Sequence, residues 1–157
     1  MTKMVLSEEV KIKITEILGS KEFVSDLYEG LSAEQRKKLG QFYTPAAVCI
    51  QMIEKFECLT LKDKNILDPA CGSGNLLIAC LVAGASSDKL YGNELDPIAV
   101  RLCLKRVNRA CDILSKPRIK DWQIHQGDAT DSYCLSNFSK DYTWPRVMPG
   151  NLFDKFF

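Results

Sequence analysis

Three carboxylates each follow a short apolar run: Asp68 in "NILDPACGSG", Glu94 in "LYGNELDP" and Asp128 in "IHQGDAT". If the runs are parallel strands, all three acids gather at the carboxyl edge of one sheet, where an open α/β sheet takes its ligand. The first run turns through Gly72-Ser73-Gly74 into an apolar helix pattern that starts at Asn75. Glycine lets backbone approach a ligand closely, because no Cβ intervenes. A helix start presents free N–H groups and partial positive charge, which suit a carboxylate or phosphate. A carboxylate at Glu94 can accept both hydroxyls of a ribose, and an acid at Asp68 suits a cationic amino group.

The nicotinamide fingerprint G-x-G-x-x-G needs a third glycine, but Asn75, Leu76 and Leu77 follow Gly74. Asp68 would also repel a pyrophosphate. A ligand that combines an α-amino group, a carboxylate, a ribose and an adenine is S-adenosylmethionine. A lone G-x-G is otherwise an ordinary tight turn. The acids at the ends of the successive runs are what argue for a nucleoside site.

These groups need a scaffold, and the apolar pattern supplies one. "KNILD", "KLYGNE" and "WQIHQGD" read as strands. Residues 75–84 read as a buried helix, and Asp96-Pro97 opens a longer one with Val100, Cys103, Leu104, Val107 and Cys111 on one stripe. Arg101, Lys105, Arg106 and Arg109 are then expected on its solvated face. Alternating strand and helix implies parallel pairing with right-handed crossovers. Upstream, Ser7 and Ser20 are positioned to cap helices. "SAEQ" at 32–35 has capping-box spacing for a third helix to about Leu39, broken by Gly40. Thr44-Pro45 reads as an N-cap followed by proline at the first helical position, with Cys49, Met52, Ile53 and Phe56 inward. Residues 129–150 show no clear period.

Composition bounds the alternatives. A chain of 157 residues with 46% apolar residues is one globular domain with a sizeable core. A net charge of +1 gives no global footprint for nucleic acid, so phosphate contact would need a local patch or a partner. The seven cysteines lack Cys-x-x-Cys spacing and His125 is the single histidine, so no metal site is expected. Without a signal peptide or a membrane-length apolar run, a reduced cytoplasmic protein is expected.

"LGQFYTPAAV", "ILDPACGSGNLL", "YGNELDPIAV" and "HQGDAT" resemble, in order, motifs of the adenine-N6 DNA methyltransferases, above all the modification subunits of type I restriction systems. The resemblance covers roughly residues 39–130. It implies an α/β, Rossmann-like S-adenosylmethionine-dependent methyltransferase fold. The parallel sheet would be truncated, with a helical segment at 1–40 before a partial cofactor-binding domain at 41–157. It places Gln41, Phe42, Tyr43, Thr44 and Pro45 by the methionine part of the cofactor. Asp68, Pro69, Ala70, Cys71, Gly72, Ser73 and Gly74 would form the cofactor loop. Glu94 would hold the ribose, with Leu95 and Asp96 beside the adenine, and Asp128, between Gly127 and Ala129, would accept from the adenine amino group.

The departure from the family pattern concerns catalysis. The family's Asn-Pro-Pro-Phe/Tyr motif, which prepares the target amine and stacks on the flipped base, has no counterpart: no two of the six prolines are adjacent. The chain alone is therefore expected to be inactive, with no catalytic residue of its own. DNA would be met through a missing C-terminal part or a specificity subunit. A non-catalytic remnant, an interaction protein, or a fragment of a protein or small-molecule methyltransferase are the alternatives. In the resembling fold "KNILD" neighbours an absent fourth strand, so its open edge is expected to self-associate or to be covered by residues 151–157.

Overall fold

The computed structural model describes residues 2–26, 32–40 and 44–129. Its elements are α1 (Glu8–Gly19), α2 (Lys21–Asp26), α3 (Ala33–Gly40), α4 (Ala46–Ile53), β1 (Ile66–Asp68), α5 (Asn75–Val82), β2 (Leu90–Glu94), α6 (Pro97–Ile113) and β3 (Ile124–Gln126). The strands form a three-stranded sheet in the order β1-β2-β3. Both pairings are parallel, with Asp68 opposite Gly92 and Glu94 opposite Gln126. This is a parallel, Rossmann-like sheet with β2 in the middle, and every residue of β2 is buried, as a parallel strand between covered faces must be.

Local chemistry starts and stops these elements. The Ser7 hydroxyl accepts from Val10 N at 3.2 Å and opens α1. The Ser20 hydroxyl accepts from Phe23 N at 3.4 Å and opens α2. Ser32 and Gln35 close a reciprocal capping box, at 3.2 Å and 2.8 Å. The Asp96 carboxylate accepts from Ile98 N at 2.9 Å, with Pro97 at the first turn of α6. Helix α5 ends in a left-handed glycine, Gly84, and Ala85 N returns to Cys80 O. Lys116 then reaches the carbonyl of Leu81, in the last turn of α5, at 2.9 Å and that of Ala85, just beyond the helix, at 2.6 Å. A cation suits that end of the helix dipole.

Helix α5 is buried from Asn75 through Leu81, which an apolar helix can sustain only when it is packed on all sides. It touches α1, α4, α6 and β2. One core joins these layers: Ile14, Leu18 and Phe23 from the N-terminal helices, Cys49 and Ile53 from α4, Leu77 and Ile78 from α5, and Cys103 and Val107 from α6. Phe56 joins it from the turn after α4. Cys49, Cys58, Cys71, Cys80, Cys103 and Cys111 are free and buried. Burial pushes the thiol of Cys49 up to about 12 and raises those of Cys80 and Cys111. These sulfurs pack as small hydrophobes and are poor nucleophiles.

The structure corrects several sequence-level boundaries. Pro45, not Thr44, occupies the N-cap of α4, and no side chain caps it. Gly40 is the last residue of α3 and lies within the helix. Asp121–Gln123 form a single 3-10 turn, so β3 is shorter than "WQIHQGD". Tucking Gln123 into that turn aims its amide at Ser87 O and Leu90 O, both at 2.8 Å, which pins the entry to β2. Arg106 is not on the solvated face of α6: it is wholly buried. No helix among the described residues is long and apolar enough to cross a membrane.

Gly74 has φ +89°, and a Cβ there would meet Cys103 Sγ at 2.9 Å and Val107 Cγ2 at 3.1 Å. Its lack of a side chain therefore lets α5 start against α6, and the need is one of packing as much as of ligand approach. Gly74→Ala combines a clash with a left-handed backbone, and is expected to destabilise the chain by roughly 2–4 kcal/mol. Urea unfolding of both proteins measures this.

Candidate functional site at the strand ends

The carboxyl ends of the strands are drawn together by one amide. Asn93, buried in β2, donates from Nδ2 to Pro69 O at 3.2 Å and to Gly127 O at 3.0 Å. The backbone supplements it: Cys71 N donates to Asn93 O at 2.9 Å and Gly127 N to Glu94 O at 3.0 Å. The turn after β1 and the turn after β3 are thus both fastened to the last residues of β2. A polar residue inside a fully buried strand was the sequence signal for Asn93, and it went unread.

Within this frame Asp68, half-buried, ends β1, and its Oδ1 accepts from Ala70 N at 3.1 Å. Pro69, Cys71, Gly72, Ser73 and Gly74 are buried, and Ala70 is exposed. Gly72 and Gly74 both have positive φ, at 53° and 89°. Helix α5 begins at Gly74 with no side-chain cap, so the first N–H groups of its opening turn remain available. The Ser73 hydroxyl is buried and meets no hydrogen-bond partner among the described residues.

Glu94 ends β2, almost wholly buried at 5% exposure. Its Oε2 accepts from Leu95 N at 2.8 Å, and no donor among the described residues reaches Oε1. Leu95 stands out into solvent at 65% exposure beside the Asp96 cap. Asp128 is exposed, between half-buried Gly127 and Ala129. Thr44 is half-buried and Pro45 exposed. Gln41, Phe42 and Tyr43 lie outside the described residues. The two acids at the centre of the edge feel each other. Burial raises the Asp68 carboxyl to about 6; the Ala70 hydrogen bond works against this, and the negative charge of Glu94 adds to it.

Behind the glycine turn lies a second polar assembly. Arg106 Nη1 donates to Ser73 O at 2.6 Å and to Asn75 Oδ1 at 2.7 Å. Asn75 Nδ2 in turn donates to Thr44 O at 2.8 Å. The segment before β1 and the turn after it are therefore joined through one asparagine. Arg106 lies at helical spacing with Ala99, Cys103 and Ala110, all fully buried. That spacing was visible in the sequence, but the charge of the side chain outweighed it.

Elsewhere, an open groove of about 370 Å³ is lined by Lys105, Asn108, Arg109, Asp112 and Arg118. It lies toward the C-terminal half of α6, away from the strand ends. Its charges are largely matched: Arg118 grips Asp112 at 2.6 Å and 2.9 Å, and Arg109 lies 3.6 Å from Glu22. No three histidine, cysteine or carboxylate groups among the described residues are placed to hold a metal ion.

A parallel sheet with a glycine turn after β1 and acids at or just beyond its strand ends fits the methyltransferase fold that the sequence resemblance implies. The model of the N-6 DNA methylase family matches residues 19–140, and the chain belongs to that family. It is 32% identical over 95 residues to the type II methyltransferase M.VspI of Vibrio sp. (strain 343), covering 59% of this chain and 22% of that protein. It is 35% identical over 86 residues to the type I restriction enzyme MjaIX methylase subunit of Methanocaldococcus jannaschii, covering 50% and 15%. A shorter likeness, 44% over 55 residues, links it to the ribosomal protein L11 methyltransferase of Marinomonas sp. (strain MWYL1), covering 35% and 17%. The chain thus aligns with about a fifth of these relatives' length. No solved structure matches.

Asp68 gives the site a pH signature. Its folded pKa lies above the ordinary 3.8, so the folded state holds the proton more tightly. This favours folding below about pH 4 and is lost as pH rises through about 6. Asp68→Asn keeps an acceptor for Ala70 N and is expected to be about 2 kcal/mol more stable than wild type at pH 7.5, with the gap closing below pH 4. Urea unfolding at several pH values checks it.

Proposed function

We propose that this chain is the S-adenosylmethionine-binding part of a DNA adenine-N6 methyltransferase of a restriction-modification system. The observation that carries the reading is the strand-end constellation: half-buried Asp68 and buried Glu94 on neighbouring strands, together with the glycine turn after β1, the uncapped start of α5 and the buried Ser73 hydroxyl, which meets no partner among the described residues. Those groups are complementary to the donor. Asp68 would take its ammonium, and the Ser73 hydroxyl and the first N–H groups of α5 its carboxylate. Glu94 Oε1 would take the ribose hydroxyls, and Leu95 and Asp128 would flank the adenine. When bound, the donor supplies an electrophilic methyl group on sulfur. The chain's own residues hold and orient it, and Glu94 keeps its second oxygen fixed on Leu95 N while doing so.

The N-6 DNA methylase family supports DNA as the acceptor, and the relative named as a restriction enzyme's methylase subunit supports the restriction-modification setting. The "GQFYTP" element belongs to the resemblance to adenine-N6 DNA methyltransferases and so supports an exocyclic amine as the reacting group. The likeness to ribosomal protein L11 methyltransferases is confined to a short stretch, and it favours a shared donor site more than a shared acceptor. Target recognition and the preparation of the amine would come from outside this chain, from a further part of the same enzyme or from a specificity subunit.

The purified chain is expected to bind S-adenosylhomocysteine in isothermal titration. Glu94→Ala should weaken binding by roughly 1.5–3 kcal/mol, the worth of a hydrogen bond to a charged group. Affinity should fall as pH drops through about 6, because protonation of Asp68 removes the partner of the ammonium. The same preparation should transfer no labelled methyl group to DNA. Equal affinity in wild type and Glu94→Ala would remove Glu94 from the site, and turnover by the chain alone would refute the division of labour.

Among the described residues β1 pairs only with β2. Its outer edge is the surface we expect to receive another strand, from a second copy or from residues 151–157, which lie outside the described residues. Light scattering at rising concentration, on the whole chain and on one ending at Gly150, should show association in at least one of them. A strict monomer in both, with the same melting temperature, would count against the edge.

A further inference from the structure

A guanidinium with no exposed surface has an uncommon environment for its charge. Desolvating it is expensive, and an apolar residue of similar size is often as stable or more so. Arg106 is placed where such a cost has a use. One nitrogen, Nη1, holds both Ser73 O and Asn75 Oδ1, which fixes the peptide between the glycines of the turn and the first side chain of α5. With its oxygen held by Arg106, Asn75 can present only Nδ2 to Thr44 O. The guanidinium also lies over the ring of Phe23, 5.6 Å from its centroid. Glu22, one residue earlier, faces Arg109 of the same helix. Helix α2, the glycine turn and, through Asn75, the segment leading into α4 are therefore joined by Arg106.

We infer that Arg106 is a positioning residue for the methyl donor: through Asn75 it sets the distance between the Thr44 segment and the glycine turn, and through Phe23 it makes that distance depend on the N-terminal helices. The inference rests on the donor-site reading and adds a residue that touches no ligand. Arg106 acts from behind the turn, and its removal loosens both walls of the pocket at once. The effect on folding is read separately, because methionine keeps an unbranched apolar stem beside Phe23.

The test uses the whole chain with S-adenosylhomocysteine as the probe, and reads affinity, melting temperature and amide hydrogen exchange of the segment around Thr44. Arg106→Met should weaken binding roughly tenfold or more, the scale of losing hydrogen bonds from a charged donor, while the melting temperature stays near that of wild type. Ligand-induced protection around Thr44 should disappear. Arg106→Lys, a point charge on a shorter stem, should restore part of the affinity. Asn75→Ala should weaken binding similarly, and adding Arg106→Met to it should cost little more. The fall in affinity below about pH 6 should persist in every variant, since Asp68 is intact. If wild type binds and Arg106→Met binds equally well, or loses melting temperature in step with affinity, the positioning role is overturned and the donor site stands. If wild type does not bind, the donor-site reading falls and this inference falls with it. Should Arg106→Met fail to fold, Arg106→Lys and Asn75→Ala decide, and wild-type affinity in both overturns the role.

Discussion

The strand-end site depends on a single buried amide. The strands β1 and β3 have three residues each, too few for ladder hydrogen bonds alone to define the path of the turns beyond them. Asn93 extends the order of the sheet past its last rung by tying Pro69 O and Gly127 O to β2. An asparagine in that position must satisfy its donors, since an unpaired buried amide costs as much as the bonds it forgoes. The need to satisfy Asn93 and the need to aim the turns are met by the same contacts. The Asp68, Glu94 and Asp128 segments inherit their relative placement from it.

A second constraint is steric. Gly92 lies opposite both Asp68 and Ile124 in the sheet, and a Cβ there would meet Cys71 Sγ at 2.9 Å and Ile124 Cδ1 at 3.0 Å. Gly74 plays the matching part against α6. Two missing side chains let the turn after β1 lie flat between the sheet and the helix. The sulfurs of Cys71 and Cys103 fill the remaining space, which explains why residues of modest size and no charge stand there.

Much of this was legible in the residues. Period and capping located the helices, and Ser7, Ser20, Ser32 and Asp96 cap where their types required. The alternation of strand and helix implied the parallel sheet, and the acids at the strand ends marked its edge. Three things were not legible. Thr44 was assigned as a cap because side-chain type signals capping, yet its carbonyl serves Asn75 across 31 positions of sequence. Such a partner is set by tertiary contact. Arg106 was given to solvent because arginine is rarely buried, and the apolar spacing around it was the weaker cue. The length of β3 was overestimated because Trp122 and Gln123 look like strand residues. Trp122 instead lies exposed against Tyr91, with ring centres 6.1 Å apart.

The bonds of Asn93 also decide something about its neighbour. Because Nδ2 is committed to two carbonyl oxygens, the amide cannot turn over without pointing Oδ1 at both of them. Oδ1 therefore faces His125 Nδ1, 2.9 Å away, and can only accept. For this contact the imidazole must carry a hydrogen on Nδ1. One edge of the sheet thus combines a carboxylate, Asp68, whose charge changes near pH 6, with a frame whose donors and acceptors are assigned by the two carbonyls that Asn93 holds.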